Sequence, residues 1–462
     1  MHRLFQGLFT AGAALLLSAA TPLAVPAAAL AAAPSGQFLH LSDIHFNPFA
    51  DPTLFPRLNA APVDQWEGIF RASGVQQPNT DPQTDSNYPL LASTLTAAQP
   101  AKPYDYVVVT GDYLAHGFED QLGELTRDPA AQQAFTAKTV SFVNRMLGQA
   151  FPGLPLIATL GNNDSVCGDY QLTPGGDILA PVGADLPVIA KDSAALADFT
   201  AGGYYRTPHP VVPKLDFIVL SVFWSERYQD NCGSPAQTPA QDQYTWLAAK
   251  LLEQQRAGRK AILLMHIPPG IDGFGSYSHG GKPVKTLWGA DEVMLGKVLA
   301  LLSQYRAQLV GGYAGHTHMD EFRVLADPAP FFAIRMGPSV TPYSGNRPAF
   351  TTVTYDPADG SALDYTVTNF SNAAWNPAYT FTTLYGAKRY DAATMLTLSR
   401  LIRSDPGTRN IFGNFYAGGN STPAQRPRDS IWFACALGQP TIQTYQACIK
   451  APTPRLRRSK RL

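Results

Sequence analysis

The segment YVVVTGDYLAH, residues 106–116, joins a short apolar run to Gly111-Asp112 and then to His116. An apolar run of this length that ends in a glycine and a polar residue is typical of a buried strand followed by a turn. Similar runs predict five more strands, at residues 38–42, 156–160, 217–222, 261–265 and 308–312. Most of these runs also end in polar residues, so one strand-to-loop pattern recurs along the chain.

Helix-length segments separate the predicted strands. They lie at residues 129–149, 238–257 and 291–305. Strands that alternate with helices predict an α/β fold in which helices cover a sheet. After about Arg335 the pattern changes to strand-like alternation, which we interpret as the rest of the sheet, and helix-length patterns return near Asn376. The strand-like stretches are 350–355 and 362–369, and the later helical ones include 392–403 and 441–449.

The N-terminal segment has the features of an export signal. Arg3 precedes an apolar stretch and small residues that suit a signal peptidase, while Pro22 and Pro26 argue against the rival interpretation, an uncleaved anchor. We expect a secreted or periplasmic protein without a transmembrane anchor, and no saposin-type domain ahead of the catalytic region. The expected segments are a signal peptide at 1–33, a catalytic domain at 34–375, a helical C-terminal subdomain at 376–450 and a basic tail at 451–462.

The charge balance limits the classes of partner. The chain has 35 basic and 35 acidic residues, and charged residues make up only 15% of it. Duplex nucleic acid requires a positive face, so we expect no binding of it. The one basic run lies in the tail and is expected to be solvated. It consists of Arg455, Arg457, Arg458, Lys460 and Arg461.

Four cysteines suit an oxidising compartment, where disulfides persist. Four cysteines allow three pairings. We favour Cys167 with Cys232 and Cys435 with Cys448, because the second pair would close a short loop in a helical segment. A cysteine-rich zinc site is the weaker alternative, since no CxxC motif occurs.

Residues that commonly bind metals follow the ends of the predicted strands. In α/β sheets, sites collect at the carboxyl edge of the strands. A single aspartate or histidine there is more often a turn or hydrogen-bonded residue, but five of the nine histidines lie in these clusters. His209 and His279 lie outside them and are left unassigned. The clustered candidates are Asp43, His45, Asp112, His116, Asn162, Asn163, His266, His316 and His318.

The donor types predict a centre of two divalent ions. Imidazole nitrogens with carboxylate and amide oxygens, and no thiolate, suit zinc, with manganese or iron as alternatives. Seven candidate ligands exceed the three or so that one catalytic zinc requires. Two ions that share a bridging carboxylate could bind a phosphoryl group and activate water. The donor set therefore favours phosphoester hydrolysis without a protein nucleophile.

The ordered motifs DIH, GDYLAH, GNND, HIPPG and GHTHMDEF resemble those of the calcineurin-like metallophosphoesterase superfamily, and within it the acid sphingomyelinase-like phosphodiesterases. The resemblance covers most of residues 37–370. It implies an α/β fold, a four-layer β-sandwich flanked by helices, with a small helical C-terminal subdomain that ends near Cys435 and Cys448.

The resemblance also implies roles for individual residues. One metal would be held by Asp43, His45, Asp112 and His318, and the other by Asp112, Asn162, His266 and His316. Asp112 would bridge the two ions. His116 would be the general acid that protonates the leaving alkoxide, because an alkoxide is a poor leaving group at neutral pH.

Asn163 departs from the pattern of the superfamily, where a histidine usually follows the metal-binding asparagine. Asn163 could donate a hydrogen bond to a phosphoryl oxygen but cannot transfer a proton. The GNND motif also resembles endopolyphosphatases. We therefore expect a small-molecule or polymeric phosphoester as substrate, such as a nucleotide derivative or a phosphocholine ester. The alternatives are polyphosphate, a phosphomonoester, or a non-catalytic binding module.

Overall fold

A first sheet of six strands carries the N-terminal half of the site. Its strand order is β12-β11-β10-β1-β2-β3. The parallel strands β1, β2 and β3 lie side by side, and β10 pairs antiparallel with β1. The strands are β1 (Gly36–Leu41), β2 (Tyr106–Val109), β3 (Leu156–Ala158), β10 (Ala349–Tyr355), β11 (Ala362–Ser371) and β12 (Ala374–Thr380).

A second sheet of six strands carries the rest of the site. Its order is β4-β5-β6-β7-β9-β8, and the four central strands β5, β6, β7 and β9 run parallel to one another. Both outer strands, β4 and β8, pair antiparallel. The strands are β4 (Tyr205–Pro208), β5 (Leu215–Val219), β6 (Lys260–Leu264), β7 (Leu309–Ala314), β8 (Glu321–Ala326) and β9 (Pro330–Met336).

Helices flank both sheets, and several begin at an aspartate that caps the first turn. Asp128, Asp192, Asp391 and Asp405 each accept a backbone N–H of the helix that follows. The helices are α1 (Phe55–Ala60), α2 (Trp66–Arg71), α3 (Tyr88–Ala97), α4 (Phe118–Leu125), α5 (Pro129–Ala150), α6 (Leu179–Asp185), α7 (Pro187–Ala190), α8 (Ser193–Gly202), α9 (Pro239–Arg256), α10 (Gly273–Ser278), α11 (Val293–Gln304), α12 (Phe381–Tyr385), α13 (Ala392–Ser404), α14 (Pro406–Phe415), α15 (Pro427–Gly438) and α16 (Ile442–Lys450).

Aromatic rings join the two sheets face to face. The ring of Phe38 on β1 stacks on Tyr106 of β2 at 4.7 Å between centroids, and it meets Tyr313 of β7 edge-on at 5.2 Å. Tyr106 also contacts Phe217 of β5 at 5.6 Å. These buried rings fix the two sheets relative to each other. The ends of β1, β2, β3, β6 and β7 are thereby brought to one edge of the sandwich.

This computed structural model describes residues 35–100, 103–176, 178–225, 227–228, 239–280, 282, 286–289, 292–419 and 427–452, the last without the side chains of 427–430. They belong to one compact unit that begins at Ser35. None of its described helices is both long enough and apolar enough to cross a bilayer. The predicted signal peptide, almost all of the basic tail, and Cys232 lie outside the described residues.

The α/β sandwich fold is confirmed, with its predicted strands and three longest predicted helices. The Cys435–Cys448 disulfide is also confirmed, whereas the pairing of Cys167 with Cys232 stays a prediction. One boundary differs, because β12 continues to Thr380 and the helices begin at Phe381 instead of Asn376. Residues 374–380 pair with β11 and so extend the sheet. The division into domains remains a prediction.

Candidate metal centre

Five loops at one edge of the sandwich carry the predicted site residues. Each loop follows the carboxyl end of a parallel strand, as expected for a site on an α/β sheet. β1 leads to Asp43 and His45, β2 to Asp112 and His116, β3 to Asn162 and Asn163, β6 to His266, and β7 to His316 and His318. The structure brings all nine residues together.

The first half of the cluster is centred on His45. Its Nε2 lies 3.3 Å from Asp112 Oδ2 and 3.2 Å from His318 Nε2. His318 Nε2 lies 3.6 Å from Asp43 Oδ1. One donor atom from each of these four residues lies within 4.8 Å of every other. Ligand atoms about 2.0–2.2 Å from one ion stand roughly 3–3.5 Å apart, so these four residues suit a single ion.

The second half of the cluster is centred on Asn162. Its Oδ1 lies 2.9 Å from His266 Nε2 and 2.9 Å from His316 Nδ1. His266 Nε2 is also 3.1 Å from Asp112 Oδ2. The Asp112 carboxylate therefore contacts histidines of both halves. This is the position that a bridging carboxylate would require.

Outer hydrogen bonds turn the inward atoms into acceptors. His45 Nδ1 contacts the Leu114 carbonyl at 2.8 Å, and His266 Nδ1 contacts the Thr110 carbonyl at 2.7 Å. A ring nitrogen beside a carbonyl carries the proton, so a neutral imidazole directs the lone pair of Nε2 inward. The Asn162 amide donates to Asp169 at 2.7 Å, which leaves Oδ1 facing His266. Acceptors that face one another at about 3 Å need positive charge between them, from protons or from metal ions.

The electrostatics of the cluster also indicate a cation site. Burial lowers the pKa of His45 and His266, but the Asp112 carboxylate opposes it and raises each to about 9. Burial raises the pKa of Asp112, yet these two histidines hold it well below its usual range. Burial lowers the pKa of His316 to about 3, which keeps that imidazole neutral. In the metal-free protein, protons on His45 and His266 thus supply the positive charge beside Asp112. Metal ligands must be deprotonated, so two divalent ions would take the place of these protons.

The backbone at the ligands is strained. A positive φ is uncommon for residues other than glycine and costs about 1–3 kcal/mol at each position. The surrounding loops must therefore hold these residues in place. Five ligand candidates have such a backbone: Asp43 at 47°, His45 at 44°, Asp112 at 54°, His316 at 76° and His318 at 63°.

Two glycines allow the ligand loops to approach closely. A Cβ on Gly161 would lie 2.0 Å from Asp112 Oδ1, and one on Gly315 would lie 2.6 Å from Asp43 Oδ2. Both distances are shorter than any van der Waals contact. The glycines that precede Asn162 and His316 are therefore required by the packing of the loops.

His116 lies beside the first half of the cluster. One ring nitrogen of His116 lies within 4.8 Å of donor nitrogens of His45 and His318. Its ring is stacked between His45, at 4.0 Å, and Tyr343, at 3.7 Å between centroids. Asp85 contacts Nδ1 at 3.0 Å and accepts the His116 backbone N–H at 2.8 Å. The imidazole is therefore held in one orientation, with a carboxylate on one of its nitrogens.

Asn163 orients the central carboxylate. Its side-chain amide donates to Asp112 Oδ2 at 3.0 Å, and its backbone N–H donates to Oδ1 at 2.9 Å. This amide nitrogen has a second hydrogen that could reach a substrate. The expected hydrogen bond from Asn163 to a phosphoryl oxygen remains a prediction.

Sequence reasoning missed three aspartates that support the site. Asp164 accepts the N–H groups of Gly161, Tyr113 and Leu114 at 2.7–3.0 Å and so ties two ligand loops together. Its place in the GNND turn was a usable signal, because aspartates often bind backbone N–H groups in turns. Asp85 and Asp169 lie in loops without a local pattern. His209 instead contacts Tyr106 and backbone N–H groups, as a structural histidine does.

A sandwich of this kind with an imidazole, carboxylate and amide cluster at its edge defines a dinuclear metallohydrolase. The sequence profile of the calcineurin-like phosphoesterase family matches residues 36–320. The chain belongs to this family. It is a metal-dependent hydrolase of phosphoesters, and the alternative of a non-catalytic binding module is set aside.

Similarity to particular relatives extends over most of the chain. The human acid sphingomyelinase-like phosphodiesterase 3b is 26% identical, in an alignment that covers 92% of this chain and 93% of that protein. The cyclic GMP-AMP phosphodiesterase SMPDL3A of Rattus norvegicus is 24% identical, in an alignment that covers 93% of this chain and 95% of that protein. The endopolyphosphatase of Neurospora crassa is 27% identical, in an alignment that covers 66% of this chain and 40% of that protein. The resemblance to acid sphingomyelinase-like phosphodiesterases is confirmed.

Proposed function

We propose that this chain is an exported phosphodiesterase that uses two divalent metal ions and the acid His116 to hydrolyse a phosphodiester. The observation that carries the proposal is the position of Asp112, which contacts His45 on one side and His266 on the other. The names of the relatives that align over nine tenths of the chain favour a diester. Zinc is the ion we expect, with manganese or iron as alternatives.

The residues divide between two ions. Asp43, His45 and His318 would hold the first ion, and three residues of the other half of the cluster would hold the second. Bound ions supply a water of lowered pKa and neutralise charge on the phosphoryl oxygens. Asp112 would contact both ions, and Asn163 keeps its carboxylate oriented. The ligands of the second ion would be Asn162, His266 and His316.

His116 would supply the proton that the leaving oxygen needs. Its Nδ1 contacts Asp85, so the opposite nitrogen is the one available for transfer. Stacking between His45 and Tyr343 prevents the ring from rotating away. The carboxylate of Asp85 would hold the imidazole in the orientation that proton transfer to the leaving oxygen requires.

A polyphosphatase or phosphomonoesterase is the second candidate. Its support is the similarity to an endopolyphosphatase, in an alignment that covers 66% of the chain. Polyphosphate cleavage requires less of His116, because phosphate is a better leaving group than an alkoxide.

Metal analysis and three substrates test the proposal. We expect about two metal ions per chain, and hydrolysis of bis-p-nitrophenyl phosphate that a chelator abolishes and metal restores. Preference for p-nitrophenyl phosphate or polyphosphate would favour the second candidate. A protein that binds no metal would contradict both. N-terminal sequencing of the exported protein tests export, and a sequence that starts at Met1 would contradict removal of residues 1–33.

His116→Ala tests the acid. We expect it to keep metal but to lose about 10²–10⁴-fold activity on an alkyl diester, with a much smaller loss on the p-nitrophenyl diester. Equal losses on the two substrates would remove His116 from this role.

A further inference from the structure

A cavity of about 720 Å³ opens directly beside His116. His116, its partner Asp85 and the stacked Tyr343 form one wall. The volume lies within the range of about 300–1,000 Å³ that is usual for pockets that bury small organic ligands. The cavity therefore adjoins the group that we propose as the proton donor, and the inference below rests on that proposed function.

The position of the acid fixes which part of a substrate would enter this cavity. Water attacks phosphorus, the bond from phosphorus to the leaving oxygen breaks, and His116 gives its proton to that oxygen. The products are a phosphomonoester and a neutral alcohol. The leaving oxygen must lie within hydrogen-bond reach of His116, so the rest of the leaving group extends toward the cavity on that side.

The cavity is lined by uncharged polar groups. Six side-chain amides face it, and among its described lining residues there is no lysine or arginine. Its one carboxylate, Asp85, is paired with His116. The six amides are Asn47, Gln77, Asn79, Gln83, Asn87 and Gln121.

Some of these amides shape the wall and others are available to a ligand. Asn87 accepts the Leu90 N–H at 3.0 Å, and Gln121 donates to the His116 carbonyl at 3.1 Å. Gln77 and Gln83 are exposed, and their side chains form no hydrogen bond with any described residue. These two exposed amides can thus bind a ligand that offers hydroxyl, carbonyl or amino groups.

We propose that this cavity is the leaving-group pocket and that it selects an uncharged, hydrogen-bonding alcohol, such as a sugar or nucleoside, over an anionic leaving group. A phosphate chain in this cavity would lose water without meeting a lysine or arginine, and His116 is already paired with Asp85, so its burial there is costly. The polar lining would compensate the desolvation of hydroxyl and amide groups. The pocket therefore disfavours polyphosphate as substrate of this chain.

Two diesters that differ in one charge test the proposal. Methyl 4-carbamoylphenyl phosphate and methyl 4-carboxyphenyl phosphate have the same retained group and leaving groups of nearly the same shape. For the metal-loaded enzyme, and after correction for uncatalysed rates, we expect kcat/KM about tenfold or more higher for the carbamoyl ester. Equal values, or a preference for the carboxylate, would overturn the proposal.

A charge change in the pocket gives a second readout. We expect Gln77→Lys to lower the carbamoyl-to-carboxylate ratio about tenfold, because its ammonium would pair with the carboxylate. Gln255→Lys makes the same change at an exposed position of α9, outside the lining, and should leave the ratio as it is. A ratio that Gln77→Lys and Gln255→Lys shift equally would contradict the pocket assignment.

The two proposals can fail separately. Methyl p-nitrophenyl phosphate reports on diester hydrolysis with little need for an acid. Turnover of this ester without charge discrimination would overturn the pocket and leave the phosphodiesterase. The absence of turnover on all three diesters would overturn both.

Discussion

The side chain of Asp85 matters because it determines what His116 can do. Asp85 accepts from the His116 backbone and contacts its ring, and Thr341 donates to Asp85 at 3.1 Å. A carboxylate in this position can accept a hydrogen bond from Nδ1 of His116, which leaves the opposite ring nitrogen for proton transfer. Without that charge the ring can still occupy its place, since stacking on Tyr343 does not depend on Asp85.

We therefore predict that Asp85→Asn lowers kcat/KM about 10–100-fold on an alkyl diester. The loss on methyl p-nitrophenyl phosphate should be small, because that leaving group needs no proton. Asp120→Asn, at an exposed position of α4, controls for the loss of one negative charge. Equal losses on both diesters would mean that Asp85 only maintains the loop structure and does not assist proton transfer by His116.

Metal binding should release protons from this site. In the metal-free protein the pKa of His45 and of His266 is raised to about 9, so both hold protons at pH 7. A metal requires neutral imidazoles, so both protons leave when it binds. We predict about two protons released per chain in a weakly buffered zinc titration near pH 7, and an affinity that rises with pH toward 9. Binding without proton release would contradict this assignment.

The metal-ligand residues could be predicted from the sequence, but the residues that hold His116 in place could not. Asp43, His45 and Asp112 follow apolar runs, and strand topology dictates that such residues meet at one edge. Asp85 and Tyr343 are far apart in the chain and lie in loops, whose course depends on packing across the whole fold. Only the folded chain shows that they meet at His116.

The loops that carry the metal ligands approach each other so closely that some positions have room only for glycine. We predict that Gly161→Ala disrupts metal binding and lowers activity at least about 10²-fold, because the new Cβ would meet Asp112 Oδ1 at 2.0 Å. Metal content and diester turnover measure the effect.

Gly148→Ala is the matched control for that substitution. Gly148 lies inside α5, and a Cβ there would meet nothing within 4 Å. Alanine should stabilise this helix by about 0.5–1 kcal/mol and leave activity unchanged. A Gly161→Ala protein with full metal content would contradict the close-approach argument.

Elements with simple patterns were predictable, and those with special packing were not. β8 contains Glu321 and Arg323, which are buried as a pair at 2.6 Å, so its sequence does not alternate. β12 contains Pro377, which an edge strand tolerates because it lacks a partner on one side. Both strands depend on neighbours that a local window does not include.

At the scale of the whole molecule, the C-terminal helices brace the loop that carries His316 and His318. α13 and α15 pack against β8, the strand that follows this loop. The Tyr416 hydroxyl, just after α14, donates to the carboxylate of Glu321, and the Tyr416 carbonyl accepts the Asp320 N–H at 2.8 Å. The helical segment therefore contacts the chain two residues beyond a proposed metal ligand.

We predict that Tyr416→Phe, which removes the hydrogen bond to Glu321, weakens metal binding although residue 416 contacts no ligand atom. Glu321 would keep its pair with Arg323, so the free energy of unfolding should fall by only about 1 kcal/mol. The ligand loop would lose a support, and we expect metal affinity about tenfold lower in competition with a chelator. Tyr390→Phe is the control, because the buried Tyr390 hydroxyl has no hydrogen-bond partner among the described residues. If both variants bind metal equally well, the C-terminal helices stabilise the fold without positioning the metal centre.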